Sequence, residues 1–300
     1  MELLHKKDII RIVAPARKIS QEELALSVDM LERNGYRVEY GKNMLGQYHQ
    51  FSGTDSERIA DIQEALDSDD VRVIWFARGG YGSIRLIDHL DFSKFIKNPK
   101  WLCGYSDMTV FHACVNIVLN RPSLHATMPV NLQGEDMEIT SFQSMLKALK
   151  TGKASYSIAP HPLNREGKAR GKLCGGNLSV LCSMSGSVTE LQTLDKILFI
   201  EDTDEYLYHI DRMMMCLKRA GKLDRLAALI VGGMSKIHDN SIAYGKSVEA
   251  IIKEHVSEYN YPVCFGFPAG HIPDNRALIM GGNARLDVSN GSVTLQMTLP

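Results

Sequence analysis

WLCGYSDMTVFHACVNIVLN, residues 101–120, joins a short apolar run to a longer one through Gly104, Tyr105, Ser106 and Asp107. The first run reads as a buried strand and the second as a helix, so Ser106 stands at a strand-to-helix turn. A serine there is commonly an N-cap whose hydroxyl accepts from the first helical N–H groups. The same position is where a G-x-S-x-G nucleophile elbow presents a reactive hydroxyl. Gly104 permits the tight turn, and the Asp107 amide is an available oxyanion donor. The second glycine of that pattern is replaced by Met108.

Outward from this stretch, strands and helices alternate. IIRIVAP (9–15), YRVEY (36–40), VRVIWFA (71–77) and PSLHAT (122–127) read as strands. Ser20 and Glu23 form a capping box for a helix with Leu24, Val28 and Leu31 on one face, ended by Gly35. Asp55 is expected to cap a second helix carrying Ile59, Ile62 and Leu66, and IRLIDHL (84–90) is a third, short one. Such alternation predicts an α/β fold with a parallel sheet, whose ligands sit beyond the carboxyl ends of the strands. Both RGGYGS (78–83) and the turn at Ser106 fall at that edge.

From 151 to 170 the chain turns polar and the alternation pauses, which is read as a linker between domains 1–150 and 171–300. The second domain is expected to be mixed α+β. It has strands at ILFIED (197–202), LAALIVGGM (226–234) and VCFGF (263–267), and helices within 205–221 and 246–259. An antiparallel ribbon is expected over 276–297, with Gly-Gly-Asn and Asn-Gly turns.

Composition narrows the partners. Of 300 residues, 44% are hydrophobic and 23% charged, the net charge is -1 and the basic residues are scattered. That balance argues against nucleic-acid and membrane-surface binding and favours a small ligand. Six cysteines without a C-x-x-C pair read as buried thiols in a reducing compartment, so neither disulfides nor a metal is expected, and the cytoplasm is. The first twenty residues look like an opening strand and not a signal peptide. No run approaches the roughly 20 apolar residues of a membrane span.

An activated serine needs a base and an acid that orients it. His271, in the Gly/Pro-rich loop FPAGHIPDN, follows a strand directly and is well placed to project from its end. His125, just past another strand, is expected to line the cleft. Glu201 closes ILFIEDTDE, but Asp202, Asp204 and Glu205 crowd the same turn, and spacing does not choose among the four. The glycines of RGGYGS fit a phosphate cradle, a second oxyanion donor or a tight turn equally.

Taken together, ARGGYGSIRLIDHLD (77–91), NPKWLCGYSDMT (98–109), GGNLSVL (175–181), ILFIEDTDE (197–205) and FPAGHIPDN (267–275) resemble the LD-carboxypeptidase family of serine peptidases, which also contains microcin-immunity peptidases. The motifs recur in family order along nearly the whole chain. The resemblance implies an N-terminal domain like that of class I glutamine amidotransferases, a swivelling mixed C-terminal domain, and a cleft between them. It also implies a triad of Ser106 as nucleophile, His271 as general base and Glu201 as orienting acid, with oxyanion donors from Asp107 and from Gly79 or Gly80. The implied activity releases terminal D-alanine from cytoplasmic murein tetrapeptides, without cofactor, by a homodimer. The alternatives are hydrolysis of peptidyl or aminoacyl nucleotides, as in the immunity branch, or a non-catalytic nucleotide-binding module. LHATM (124–128) departs from the glycine and proline that usually follow its histidine in the family. For the substrate's terminal carboxylate, Arg78, Arg85 and Arg276 are the candidates.

Overall fold

A computed structural model describes residues 1–300. In chain order the strands of the first half are β1 (Ile9–Val13), β2 (Arg37–Tyr40), β3 (Val71–Phe76), β4 (Trp101–Gly104) and β5 (Ser123–His125). The second half contributes β6 (Lys153–Ile158), β7 (Gly167–Asn177), β8 (Ile197–Thr203), β9 (Ala228–Ser235), β10 (Val263–Cys264), β11 (Leu278–Met280), β12 (Asn283–Val288) and β13 (Val293–Thr298). They build two sheets with helices packed on both, the mixed α/β class.

The first sheet runs β2-β1-β3-β4-β5-β11, parallel through its first five strands. β3 and β4 are almost wholly buried, as parallel strands covered on both faces must be. The helix Gln21–Arg33 carries the Ser20–Glu23 capping box. The helix Asp55–Asp67 is capped by Thr54 and not by Asp55: the Thr54 hydroxyl accepts from the Glu57 N–H, and Glu57 reaches back to the Thr54 N–H. Asp55 is thereby free to hold Arg85.

The second sheet runs β10-β9-β8-β7-β12-β13-β6. β7 joins its two parts, pairing antiparallel with β12 along its first residues and parallel with β8 along its last. Residues 151–170, read from sequence as a linker, contain β6 and the start of β7. β6 is an edge strand, bonded only to β13, and turns Lys153, Ser155 and Ser157 to solvent while Ala154 is buried. Half-polar alternation of this kind is what an edge requires, and it gives the segment a loop-like composition.

β11 is the stitch between the two sheets. It lies within the ribbon expected over 276–297, yet it leaves the second sheet and closes the edge of the first, with Leu278 opposite His125. The apolar cores are also shared. One joins Ile10, Trp75 and Leu124 to Phe199, Ile230 and Leu286; the other joins Ile74, Phe76 and Leu102 to Leu198, Ile200 and Leu229. The parallel strands of both sheets therefore present their carboxyl ends to one cleft.

Because Leu278 is fully buried in this stitch, Leu278→Ala should lower stability by about 2–5 kcal/mol. Urea unfolding followed by fluorescence of Trp75 and Trp101, both in the first sheet, and by far-UV circular dichroism should shift together. Transitions that no longer coincide, with the tryptophan midpoint shifted and the circular dichroism midpoint not, would show that β11 does not couple the halves.

Candidate active site

Ser106 follows β4 by two residues and opens a tight helical turn, Ser106–Met108, that leads into the helix Thr109–Ala113. Its φ is 65°, in the left-handed region that a serine adopts only when the surrounding structure holds it there. The elbow geometry is thus present without the second glycine. What lies beneath it fixes it: the Gly104 carbonyl accepts from the Ala126 N–H at 3.1 Å and from His112 Nε2 at 2.9 Å. His112 Nδ1 in turn accepts from the Ser123 hydroxyl at 2.8 Å. Burial pushes this imidazole down to a pKa of about 3, so it stays neutral with its proton on Nε2.

The RGGYGS loop lies against the elbow. A Cβ on Gly79 would stand 2.9 Å from both Cβ and Oγ of Ser106, so only glycine allows that approach. The Asp107 side chain accepts from the Ser83 N–H at 2.8 Å and ties the loop to the turn. Burial raises the Asp107 carboxyl.

His271 approaches from the other sheet. Its Nε2 is 3.1 Å from Ser106 Oγ, and its Nδ1 is 2.6 Å from Glu201 Oε2. The same carboxylate oxygen accepts from the His271 backbone N–H at 3.1 Å. Since a carboxylate only accepts, the neutral ring carries its proton on Nδ1 and offers the Nε2 lone pair to the serine. Gly270 makes this possible, because a Cβ there, at φ 105°, would stand 2.7 Å from Glu201. The loop is braced by Ala269 O accepting from the Gly233 N–H, and by Ser141 Oγ accepting from the Asn275 N–H.

Strand alternation sorts the four acidic residues that spacing left open. Glu201 is completely buried and faces His271. Asp202 points the opposite way, accepting from Asn177 Nδ2 and the Ser179 N–H. Asp204 pairs with His238 and Glu205 with His209. Burial opposes ionisation of Glu201, but the charge and hydrogen bonds of His271, with help from His125, hold its carboxyl below the ordinary value. Burial likewise works against protonating His271, yet Glu201 outweighs it and raises the imidazole above 6.5.

Other expected participants lie elsewhere. His125 does not line the cleft: it is fully buried, packed edge-on to Phe199 and beside Tyr105. β11 covers the edge on which it sits, and burial pushes it down to about 4. The three arginines proposed for a carboxylate are already engaged, Arg78 with Glu23, Arg85 with Asp55 and Arg276 with Asp274. Beside His271 opens a cavity of ≈ 330 Å³, and none of the three lines it. Its walls include Tyr105, Asn131, Gln133, Thr203, Lys236 and Ile272. Lys236 was not singled out from sequence, because GGMSK (232–236) matches no motif.

A strained serine hydroxyl, a histidine within hydrogen-bond reach and a buried carboxylate behind it define the arrangement of a serine hydrolase. Residues 10–126 match the LD-carboxypeptidase N-terminal domain and residues 170–286 the LD-carboxypeptidase C-terminal domain. The chain belongs to the LD-carboxypeptidase family and is a serine-type carboxypeptidase. A probable murein peptide carboxypeptidase of Bacillus subtilis is 31% identical over 296 residues, 98% of this chain and 93% of that protein. The crystal structure of muramoyltetrapeptide carboxypeptidase from Oxalobacter formigenes superposes with a TM-score of 0.88 at 28% identity, covering 97% of this chain and 99% of that one. The microcin C7 self-immunity protein of Escherichia coli is 26% identical, over 94% of this chain and 90% of its own. No helix is long and apolar enough to cross a membrane.

The pairing predicts that His271, followed by NMR of its ring, titrates above 6.5. Glu201→Gln should move that titration down, since burial then acts against a weaker opposing charge. A His271 titration that ignores the substitution contradicts the pairing.

Proposed function

We propose that this protein removes the C-terminal D-alanine of cytoplasmic murein tetrapeptides by hydrolysing the amide between an L-centre and that residue. The supporting observation is Ser106 at φ 65° with His271 Nε2 3.1 Å from its hydroxyl, in a chain whose relatives include muramoyltetrapeptide and murein peptide carboxypeptidases. Ser106 Oγ attacks the carbonyl carbon while His271 Nε2 takes its proton. The Asp107 amide, with that of Gly79 or Gly80, stabilises the oxyanion. When the C–N bond breaks, His271 returns the proton to the departing amine, leaving an acyl-serine. Water, deprotonated by the same imidazole, then releases the shortened peptide. Glu201 holds the Nδ1–H tautomer and stabilises the imidazolium.

The same reading takes the first sheet as the glutamine-amidotransferase-like unit and the second as the part that swivels. Nucleophile and base stand on opposite sides of that seam, so relative rotation changes their distance. It also takes the working form to be a homodimer. A second reading, hydrolysis of aminoacyl or peptidyl nucleotides, is favoured by one feature. The half-exposed Tyr206 and Tyr208, with ring centroids 5.8 Å apart just after β8, present planar faces for stacking a base.

Purified protein should release D-alanine from L,D-tetrapeptide, and Ser106→Ala should reduce kcat by about 10⁴- to 10⁶-fold. Turnover of an aminoacyl sulfamoyl adenosine with no action on tetrapeptide favours the second reading instead. Because the base works only when neutral and its pKa is raised, kcat/KM should climb with pH through an inflection above that of free histidine. A pH profile flat across the neutral range argues against His271 as base.

A further inference from the structure

A carboxypeptidase recognises a free carboxylate one residue beyond the bond it cuts, so the leaving-group side of the site needs a fixed cation. The cavity beside His271 is that side, since it opens next to the imidazole that must protonate the departing amine. Among its thirteen lining residues the only permanently charged cation is Lys236. Glu138, the one carboxylate in the wall, is occupied in accepting from the backbone N–H groups of Gln133, Gly134 and Glu135.

The backbone of the exposed Lys236 is constrained, as that of Ser106 is. It follows the last residue of β9 at φ 51°, a left-handed conformation that costs a lysine free energy unless its neighbours impose it. They do: Ser235 is in register with Thr203, the two hydroxyls are 2.9 Å apart, and the Ser235 carbonyl accepts from the Asp204 N–H at 3.0 Å. Two residues further back, Gly233 pairs with the His271 loop at Gly270. Lys236 thus follows the strand against which the His271 loop is paired. Asp204, whose charge reaches it, is bonded to His238 at 2.7 Å, so the ammonium is left for an incoming anion. Val130 and Ile272 supply small apolar contacts in the same cavity, suited to a short side chain on the leaving residue.

From this placement we infer that Lys236 binds the terminal carboxylate of the leaving amino acid and is the residue that makes the enzyme an exopeptidase. The inference rests on the peptidase reading given above. Arg78, Arg85 and Arg276, each paired with its own carboxylate, take no part.

The test compares an L,D-tetrapeptide ending in D-alanine with the same peptide ending in D-alaninamide. Wild-type protein should prefer the free acid. Lys236→Met should lower kcat/KM for the acid by about 10- to 100-fold, the size expected for loss of one charge-assisted hydrogen bond. Read at a pH above the His271 inflection, because the Lys236 charge also acts on that imidazole, kcat/KM for the amide should fall far less than for the acid, and its persistence reports that the variant is folded. Lys236→Arg should restore much of the preference. Equal losses on both peptides, or no acid preference in the wild type, would overturn the assignment of Lys236 alone. Release from neither peptide by wild-type protein overturns the peptidase reading and this inference with it.

Discussion

The ion pair between Glu201 and His271 is the constraint around which the molecule is arranged. A carboxylate with no exposed surface is tolerable only when a positive or donating partner faces it at short range. Here both the ring Nδ1 and the backbone N–H of one residue converge on a single oxygen. That demand explains Gly270, whose missing Cβ lets the loop close over the carboxylate. It also explains why the loop is braced from β9 on one side and from the helix Asp136–Thr151 on the other. A loose loop would leave the charge uncompensated, so anchoring His271 and stabilising the fold are one requirement.

The second requirement is that two sheets meet at one point. Ser106 stands at the carboxyl end of β4, Glu201 in the closing residues of β8 and Lys236 just past β9. Parallel strands direct their carboxyl ends to one side, and two such sets facing each other produce a cleft lined by strand ends. Gly176 and Asn177, at the end of β7, touch this seam as well, the Asn177 N–H donating to Thr109 Oγ1 at 3.0 Å. With β11 inserted into the first sheet and apolar packing continuous across both, Ser106 and His271 are already in hydrogen-bond contact.

How much of this could be read beforehand depends on how local the determining signal is. Ser106, Glu201 and His271 each sit where an apolar run ends abruptly in glycine, proline or acid, and such junctions are visible in a sequence. The parallel alternation of the first half was visible for the same reason. β6 was not, because a polar edge strand owes its existence to the partner that tertiary folding brings; β11 lay within an expected ribbon, but its pairing with β5 was not visible. The arginines misled because sequence gives the charge of a side chain without its partner: Arg85 faces Asp55 thirty residues away. His125 was expected at the cleft because it ends a strand, and only the added edge strand explains its burial.

Seven residues other than glycine adopt left-handed backbone, and three of them, Ser106, Asp204 and Lys236, belong to the site or its rim. Strain of this kind is maintained only where surrounding contacts over-determine the conformation. At Ser106 the contacts come from Gly104 and Gly79 below and beside it; at Asp204 and Lys236 they come from the mutual pairing of β8 and β9 at their last residues. The same β8–β9 pairing that ends with Thr203 opposite Ser235 begins with Ile197 opposite Ala228 in the fully buried core. That pairing is interrupted once, by a register shift between Ile200 and Asp202, so a bulge lies at Glu201, the residue that faces His271.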